Sequence, residues 1–295
     1  MDANPSVGVA GLGRMGQPIA ANLAAAGFPL TVWNRSQEKT TDLVAPGAGQ
    51  VSTPRELGTT SSIVLTSLAD PAAVEAVYLG PDGLIGSVRP GTVLVDLSTV
   101  APELSRRLAE AAAERGASLL DAPVAGSIKA AVEGALAIMV GGDRDAHDAC
   151  AAVFAAIGRT SYYMGESGSG STMKLVTNTM LATMVQALSE GLALGAKAGL
   201  QPATMFEVIG ASSAAAPVVA AKATTIIEGA YQPAAFTLKL MQKDLWLALS
   251  LANDLAVPMP ATSLTHDIVL AANAAGKSGH DFAAVAQMME ELAGL

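Results

Sequence analysis

The chain has 295 residues, 51% of them hydrophobic, a net charge of −9 and one cysteine, Cys150. That length and apolar content suffice for two cores, while the negative charge repels phosphate backbones and excludes nucleic acid as an expected partner. A lone thiol excludes an internal disulfide framework and fits a reducing, cytoplasmic setting.

The opening MDANPSVGVAGLG lacks a basic stretch followed by an apolar core, so no signal peptide is expected. VGVAGLG and LTVWNR then read as short strands, with the helical RMGQPIAANLAAAG between them, stopped by Gly27. SIVLTSL, TVLVDLS, SLLDAPV and ALAIMVGG are further strand candidates, separated for the most part by helical stretches. Alternation of this kind predicts a doubly wound, mainly parallel sheet, an α/β Rossmann domain, with ALAIMVGG a candidate for a mixed-direction addition.

Past Gly158 the pattern changes. GESGSGST is a Gly/Ser-rich turn, and a helix from about Ser171 to Ala198 follows without a proline. From Gln201 onward the periodicity is helical. The expected division is residues 1–165, a dinucleotide-binding domain, and 166–295, an all-α domain beginning with the long helix. Apolar runs such as AAAPVVAA are short and broken by Pro217, so no membrane span is expected. Cys150, in DACAAVF, reads as a buried helix position.

GLGRMG places Gly11, Gly13 and Gly16 directly after a strand and at the start of a helix, with Leu12, Arg14 and Met15 between them. The first glycine permits the tight turn and the second lets the backbone approach a pyrophosphate. The third allows close helix–strand packing, and the free N–H groups of the helix start face the phosphates. The second strand ends in Asn34, Arg35 and Ser36. No carboxylate stands there to bind the adenosine ribose or repel a 2′-phosphate, and Arg35 offers a guanidinium fork, so the expected cofactor is NADP over NAD.

In STMKLVTNTM, Lys174 and Asn178 are four apart and share one helix face. They form either a solvated stripe or a proton donor with an orienting amide. His147, His266 and His280 are scattered without metal-ligand spacing, and no metal site is expected. Asp121 reads as fixing a turn, Asp244 as holding Lys243 in an ion pair, and Asp281 as a helix cap.

Taken in order, GLGRMGQPIAANLAAAG, DLSTVAP, DAPVAGS, GALAIMVGG, STMKLVTN and KLMQKDLWLA make the chain resemble the β-hydroxyacid dehydrogenase family from about Val7 to Leu292. That family includes 3-hydroxyisobutyrate dehydrogenases, tartronate semialdehyde reductases and glyoxylate/succinic semialdehyde reductases. The resemblance implies an NAD(P)-dependent oxidoreductase that interconverts a small 3-hydroxy acid and its semialdehyde. It implies Lys174 as the catalytic acid/base, Asn178 as its partner amide, and both as substrate contacts. Ser98 and Thr99 correspond to the segment beside the nicotinamide, Ser98 toward the substrate and Thr99 toward the cofactor. Leu68 and Ala69 correspond to a loop lining the cofactor, and Lys243 to a lysine reaching the cofactor and substrate pocket. It also implies that the all-α domain builds the oligomer contact; the apolar, alanine-rich helices there point to a homodimer at least.

One departure concerns DAPVAGS, where the family has DAPVSGG. In the substrate loop Ala125–Gly126–Ser127, Ala125 has lost a hydroxyl and Ser127 has gained one. Imine reductases, a branch of the same superfamily, usually lack the lysine, so Lys174 weighs against that alternative. A non-catalytic dinucleotide-binding protein is the other.

Overall fold

The computed structural model describes residues 4–295 and divides into two compact units, Met1–Lys174 and Leu175–Leu295. In the first, the described residues form a nine-stranded sheet in the order β3-β2-β1-β4-β5-β6-β8-β7, with β9 paired to β8. The strands are β1 (Val7–Ala10), β2 (Leu30–Trp33), β3 (Gly49–Gln50), β4 (Ile63–Thr66), β5 (Val93–Asp96), β6 (Ser118–Asp121), β7 (Val124–Ala125), β8 (Leu136–Gly141) and β9 (Gly158–Gly165). β1 to β6 run parallel wherever they pair, and β8 is antiparallel to β6 and β7. ALAIMVGG is thus the mixed-direction addition.

All four residues of β1, β4 and β5 are buried. Strands covered on both faces must be apolar throughout, which is why VGVA, IVLT and VLVD read as continuous runs. Two clusters provide the cover. One packs Ile19, Leu23, Leu120 and Phe154; the other packs Leu57, Tyr78, Leu94 and Leu108. Cys150 belongs to the first cluster, and burial pushes its thiol up to about 12.

β1 lies between β2 and β4, so chain order reverses there. In open α/β sheets the crevice beyond the carboxyl ends of the strands at such a point is where ligands bind. The sheet unit's sequence-nominated loops lie beyond carboxyl ends: Gly11–Gly16 after β1, Asn34–Ser36 after β2, Leu68–Ala69 after β4, Ser98–Thr99 after β5 and Ala125–Ser127 beyond β6.

The long helix runs Ser169–Lys197, preceded by Gly165 and Gly168 at φ +118° and +91° and followed by Gly199 at +85°. Its length is close to the Ser171–Ala198 expected, and the unit boundary falls within it. The second unit is otherwise helical, its main elements being Pro202–Gly210, Pro217–Ile227, Leu238–Asp254, Pro260–Ala272 and Val285–Ala293. They pack around Val185, Leu188, Met241, Leu245, Val269 and Phe282. Among the described residues no helix is long and apolar enough to cross a membrane.

Candidate active site

In the sheet unit the site is made largely of main chain. Gly11 sits at φ +95°, and a Cβ there would strike the Ser67 carbonyl. A Cβ on Gly16 would strike the Gly11 carbonyl, while one on Gly13 would meet no protein atom within 4 Å. Gly11 and Gly16 are therefore required by the protein's own packing, and the exposed backbone at Gly13 is open to a ligand's approach. No side chain caps the Gly16–Ala25 helix, and its first turn holds no acid, so its end is left to an anion. These features fit a dinucleotide pyrophosphate.

Asn34 braces this loop. Its Oδ1 accepts the Leu12 N–H at 2.8 Å, and its Nδ2 donates to the Ser36 carbonyl at 2.8 Å. Arg14 and Arg35 are exposed and Met15 is half-buried. Ser98 does a similar job nearby: its buried hydroxyl accepts the Leu68 N–H at 3.0 Å, and its own N–H donates to Asp96 Oδ1 at 3.1 Å. Ala69 is exposed and Thr99 half-buried.

The loop that the sequence nominates for substrate, Ala125–Gly126–Ser127, has a distinct shape. Gly126 lies at φ +148°, and a Cβ there would press on Leu136 Cδ2 at 2.8 Å. Ala125 pairs with Ala137 of β8. The Ser127 hydroxyl accepts the Ala130 N–H at 3.2 Å and caps the Ile128–Val132 helix. Its proton is still available to donate.

The long helix starts against this same edge. Asp121, the last residue of β6, is 1% exposed. Its Oδ1 accepts the Gly168 N–H at 2.8 Å and its Oδ2 the Ser171 N–H at 2.7 Å. Burial pushes its carboxyl above the usual carboxylate range, opposed by those hydrogen bonds and one from the Ser171 side chain. Sequence reading expected Asp121 to fix a turn; it fixes the start of a helix some fifty residues on. Lys174 follows Ser171 by three residues and is half-buried.

In the helical unit the nominated residues meet side chain to side chain. Asn178 is 4% exposed, and its Nδ2 donates to Asp244 Oδ2 at 2.5 Å. Asp244, 2% exposed, also pairs through Oδ1 with Lys243 Nζ at 2.8 Å. The ion pair was legible from the adjacent residues; the acid's second role, holding the Asn178 amide, was not. Asp281 caps the Phe282–Ala284 turn through the Ala283 N–H at 3.0 Å and forms a buried ion pair with Lys222 at 2.8 Å. The histidines do not gather: His147 bonds Asp148, His280 stacks on Tyr231, and His266 lies beside Asp267.

A glycine-loop Rossmann unit joined in sequence to a helical unit with this lysine-bearing helix defines a class, the nicotinamide-dinucleotide oxidoreductases. Comparison with known proteins narrows it. A family model described as the NAD binding domain of 6-phosphogluconate dehydrogenase matches residues 6–165, and one described as NAD-binding of NADP-dependent 3-hydroxyisobutyrate dehydrogenase matches residues 168–289. The 2-(hydroxymethyl)glutarate dehydrogenase of Eubacterium barkeri is 35% identical over 100% of this chain and 98% of its own. The chloroplastic glyoxylate/succinic semialdehyde reductase 2 of Arabidopsis thaliana is 36% identical over 97% of this chain and 79% of its own. The solved structure of Mycobacterium tuberculosis 3-hydroxyisobutyrate dehydrogenase with L-serine superposes with a TM-score of 0.88 at 28% identity, covering 97% of this chain and 99% of that one. The chain belongs to the β-hydroxyacid dehydrogenase family and is an enzyme, a hydroxyacid dehydrogenase-type NAD(P)-dependent oxidoreductase.

Proposed function

We propose that this enzyme is an NADP-preferring reductase or dehydrogenase that interconverts a small 3-hydroxy acid and its semialdehyde or oxo form, with Lys174 as general acid and base. One observation carries the reading: Lys174 lies one turn past Ser171, whose N–H is held by Asp121 at the carboxyl end of β6, the edge that bears the glycine loop. The bound nicotinamide supplies or accepts the hydride. The Lys174 ammonium stabilises negative charge growing on the carbonyl oxygen and delivers the proton; in the oxidative direction the neutral amine takes it. Asn178, held by Asp244, orients the lysine or the substrate oxygen. Lys243, held by the same acid, is assigned to cofactor and substrate binding by its QKDL motif. The loop Ala125–Gly126–Ser127 and Ser98 receive the substrate; Leu12, Arg14, Met15, Leu68, Ala69 and Thr99 belong with the glycines around the cofactor.

NADP preference is supported by Arg35 and by Asn34, an amide already bonded to the loop where an NAD site has an acid. The family description that names an NADP-dependent dehydrogenase points the same way. Residues 1–165 are assigned to dinucleotide binding and 166–295 to substrate binding and dimerisation, in a cytoplasmic setting. The homodimer is supported by exposed Leu194, Val208, Trp246 and Leu264 in the helical unit.

The test is NADPH oxidation with a panel of small carbonyl acids, among them glyoxylate, succinic semialdehyde and the semialdehyde of 3-hydroxyisobutyrate. Turnover of one or more is expected. Dinucleotide binding without turnover of any would make the protein a non-catalytic binder. Turnover of imines alone would move it to the imine reductases.

A further inference from the structure

We infer that Asp121 is a positioning residue for the proposed proton donor: one buried carboxylate ties the strand end that leads into the substrate loop to the first turn of the helix that carries Lys174. The inference rests on the reading of Lys174 as the acid and base.

Several observations converge on this junction. Asp121 ends β6, and Ala125, Gly126 and Ser127 follow four to six residues on. Each carboxylate oxygen accepts one main-chain N–H of the helix start, from Gly168 and from Ser171. The Ser171 hydroxyl is buried against the Ser105 hydroxyl at 2.9 Å, which adds a second tie, to the Pro102–Ala113 helix. Glycines allow the close approach. A Cβ on Gly170 would strike the Met139 and Asp121 carbonyls, and one on Gly141 would come within 2.7 Å of Asp121 Oδ1 and 2.8 Å of the Gly170 nitrogen.

A helix start jammed this tightly has little freedom to slide. Helix side chains lean toward the amino terminus, so the Lys174 side chain is directed back over the turn that Asp121 grips. Asp121 therefore acts on the lysine's position without touching substrate.

The isosteric variant Asp121→Asn separates this effect from simple stability. Its amide nitrogen would face one N–H donor, so one of the two main-chain bonds is lost, together with the charge. A displacement on the order of 1 Å at a reacting group costs up to about a hundredfold. The expected result is a fall in kcat of roughly tenfold to a hundredfold, with the NADPH Kd within about twofold of the parent. A residue that merely supported the fold would lower thermal stability without a kcat loss that depends on Lys174.

The cycle is completed with Lys174→Ala. In that background Asp121→Asn should cost no further kcat, since the group it positions is gone. An unchanged kcat in Asp121→Asn, or the same loss with and without Lys174, would overturn the inference. Full activity in Lys174→Ala alone would instead overturn the reading of the lysine, so the two failures are distinguishable. If Asp121→Asn does not fold, Asp121→Ser, which removes the two-oxygen grip on the Gly168 and Ser171 N–H groups without adding bulk, takes its place in the cycle. A kcat loss of the same size, absent when Lys174 is alanine, is then expected, and no loss or an equal loss in both backgrounds overturns the inference.

Discussion

The sheet unit grips with main chain and the helical unit with side chains. In the first, Asn34 holds the Leu12 N–H, Ser98 the Leu68 N–H, and Asp121 the N–H groups of Gly168 and Ser171. In the second, Asp244 holds an amide and an ammonium, and Asp281 an ammonium in addition to its cap. Main chain is suited to shaping a loop for an extended, charged ligand, whereas paired side chains are suited to aiming individual functional groups. The two regions should therefore fail differently. The sheet unit is sensitive to an added Cβ at a tight glycine, and the helical unit to removal of a single acid.

Removal of that acid should give the larger effect. Asp244→Ala leaves the buried Asn178 amide and the Lys243 ammonium without their shared partner, and hydrogen bonds to charged groups contribute about 1.5–3 kcal/mol. A fall in kcat/KM of up to about a hundredfold is expected from steady-state kinetics. A variant within twofold of the parent would show that the triad does not aim anything.

Gly16→Ala tests the other region. Its Cβ would collide with the Gly11 carbonyl, and overpacking costs about 1–3 kcal/mol. Fluorescence titration should find NADPH binding weakened by about thirtyfold, the middle of that range. Unchanged affinity would mean that the loop's shape is not what binds the cofactor. Arg35→Ala probes a side chain on the main-chain-built side. NADPH affinity should drop about tenfold, the size of one charge-assisted contact of ~1.4 kcal/mol, while NADH affinity stays nearly constant. Equal loss for both would remove the basis for NADP preference. The smallest effect belongs to Gly191→Ala in the long helix, where a Cβ meets nothing within 4 Å. Alanine is favoured over glycine in a helix interior by about 0.5–1 kcal/mol, so the melting temperature should rise by a few degrees with kinetics unaltered.

The same contrast explains what could be read from the sequence. β1, β2, β4, β5, β6 and β8 were legible because burial forces apolar runs on them. β3 and β7 have two residues each, too short to show a period, and β9, GRTSYYMG, is largely exposed at the sheet margin and looks like a loop. Gly11 and Gly16 were legible because steric demand selects one residue type. Lys174 and Asn178 were visible as a four-residue spacing, though only the resemblance chose between a solvated stripe and a catalytic pair. The Asp121 clamp left no trace, since its partners are N–H groups, which every residue but proline possesses. The Asn178–Asp244 bond joins positions 66 residues apart, and nothing in local pattern carries such a contact.

The most direct test of the account is Lys174→Ala, with kcat and NADPH Kd measured on the same preparation and with whichever carbonyl acid the parent reduces. The account predicts a kcat lower by ~10²–10⁴, the range for loss of a general acid, and a Kd changed by less than about twofold, because the glycine loop and Arg35 are untouched. A variant that keeps most of its kcat would contradict it and return Lys174 to the status of an ordinary helix residue.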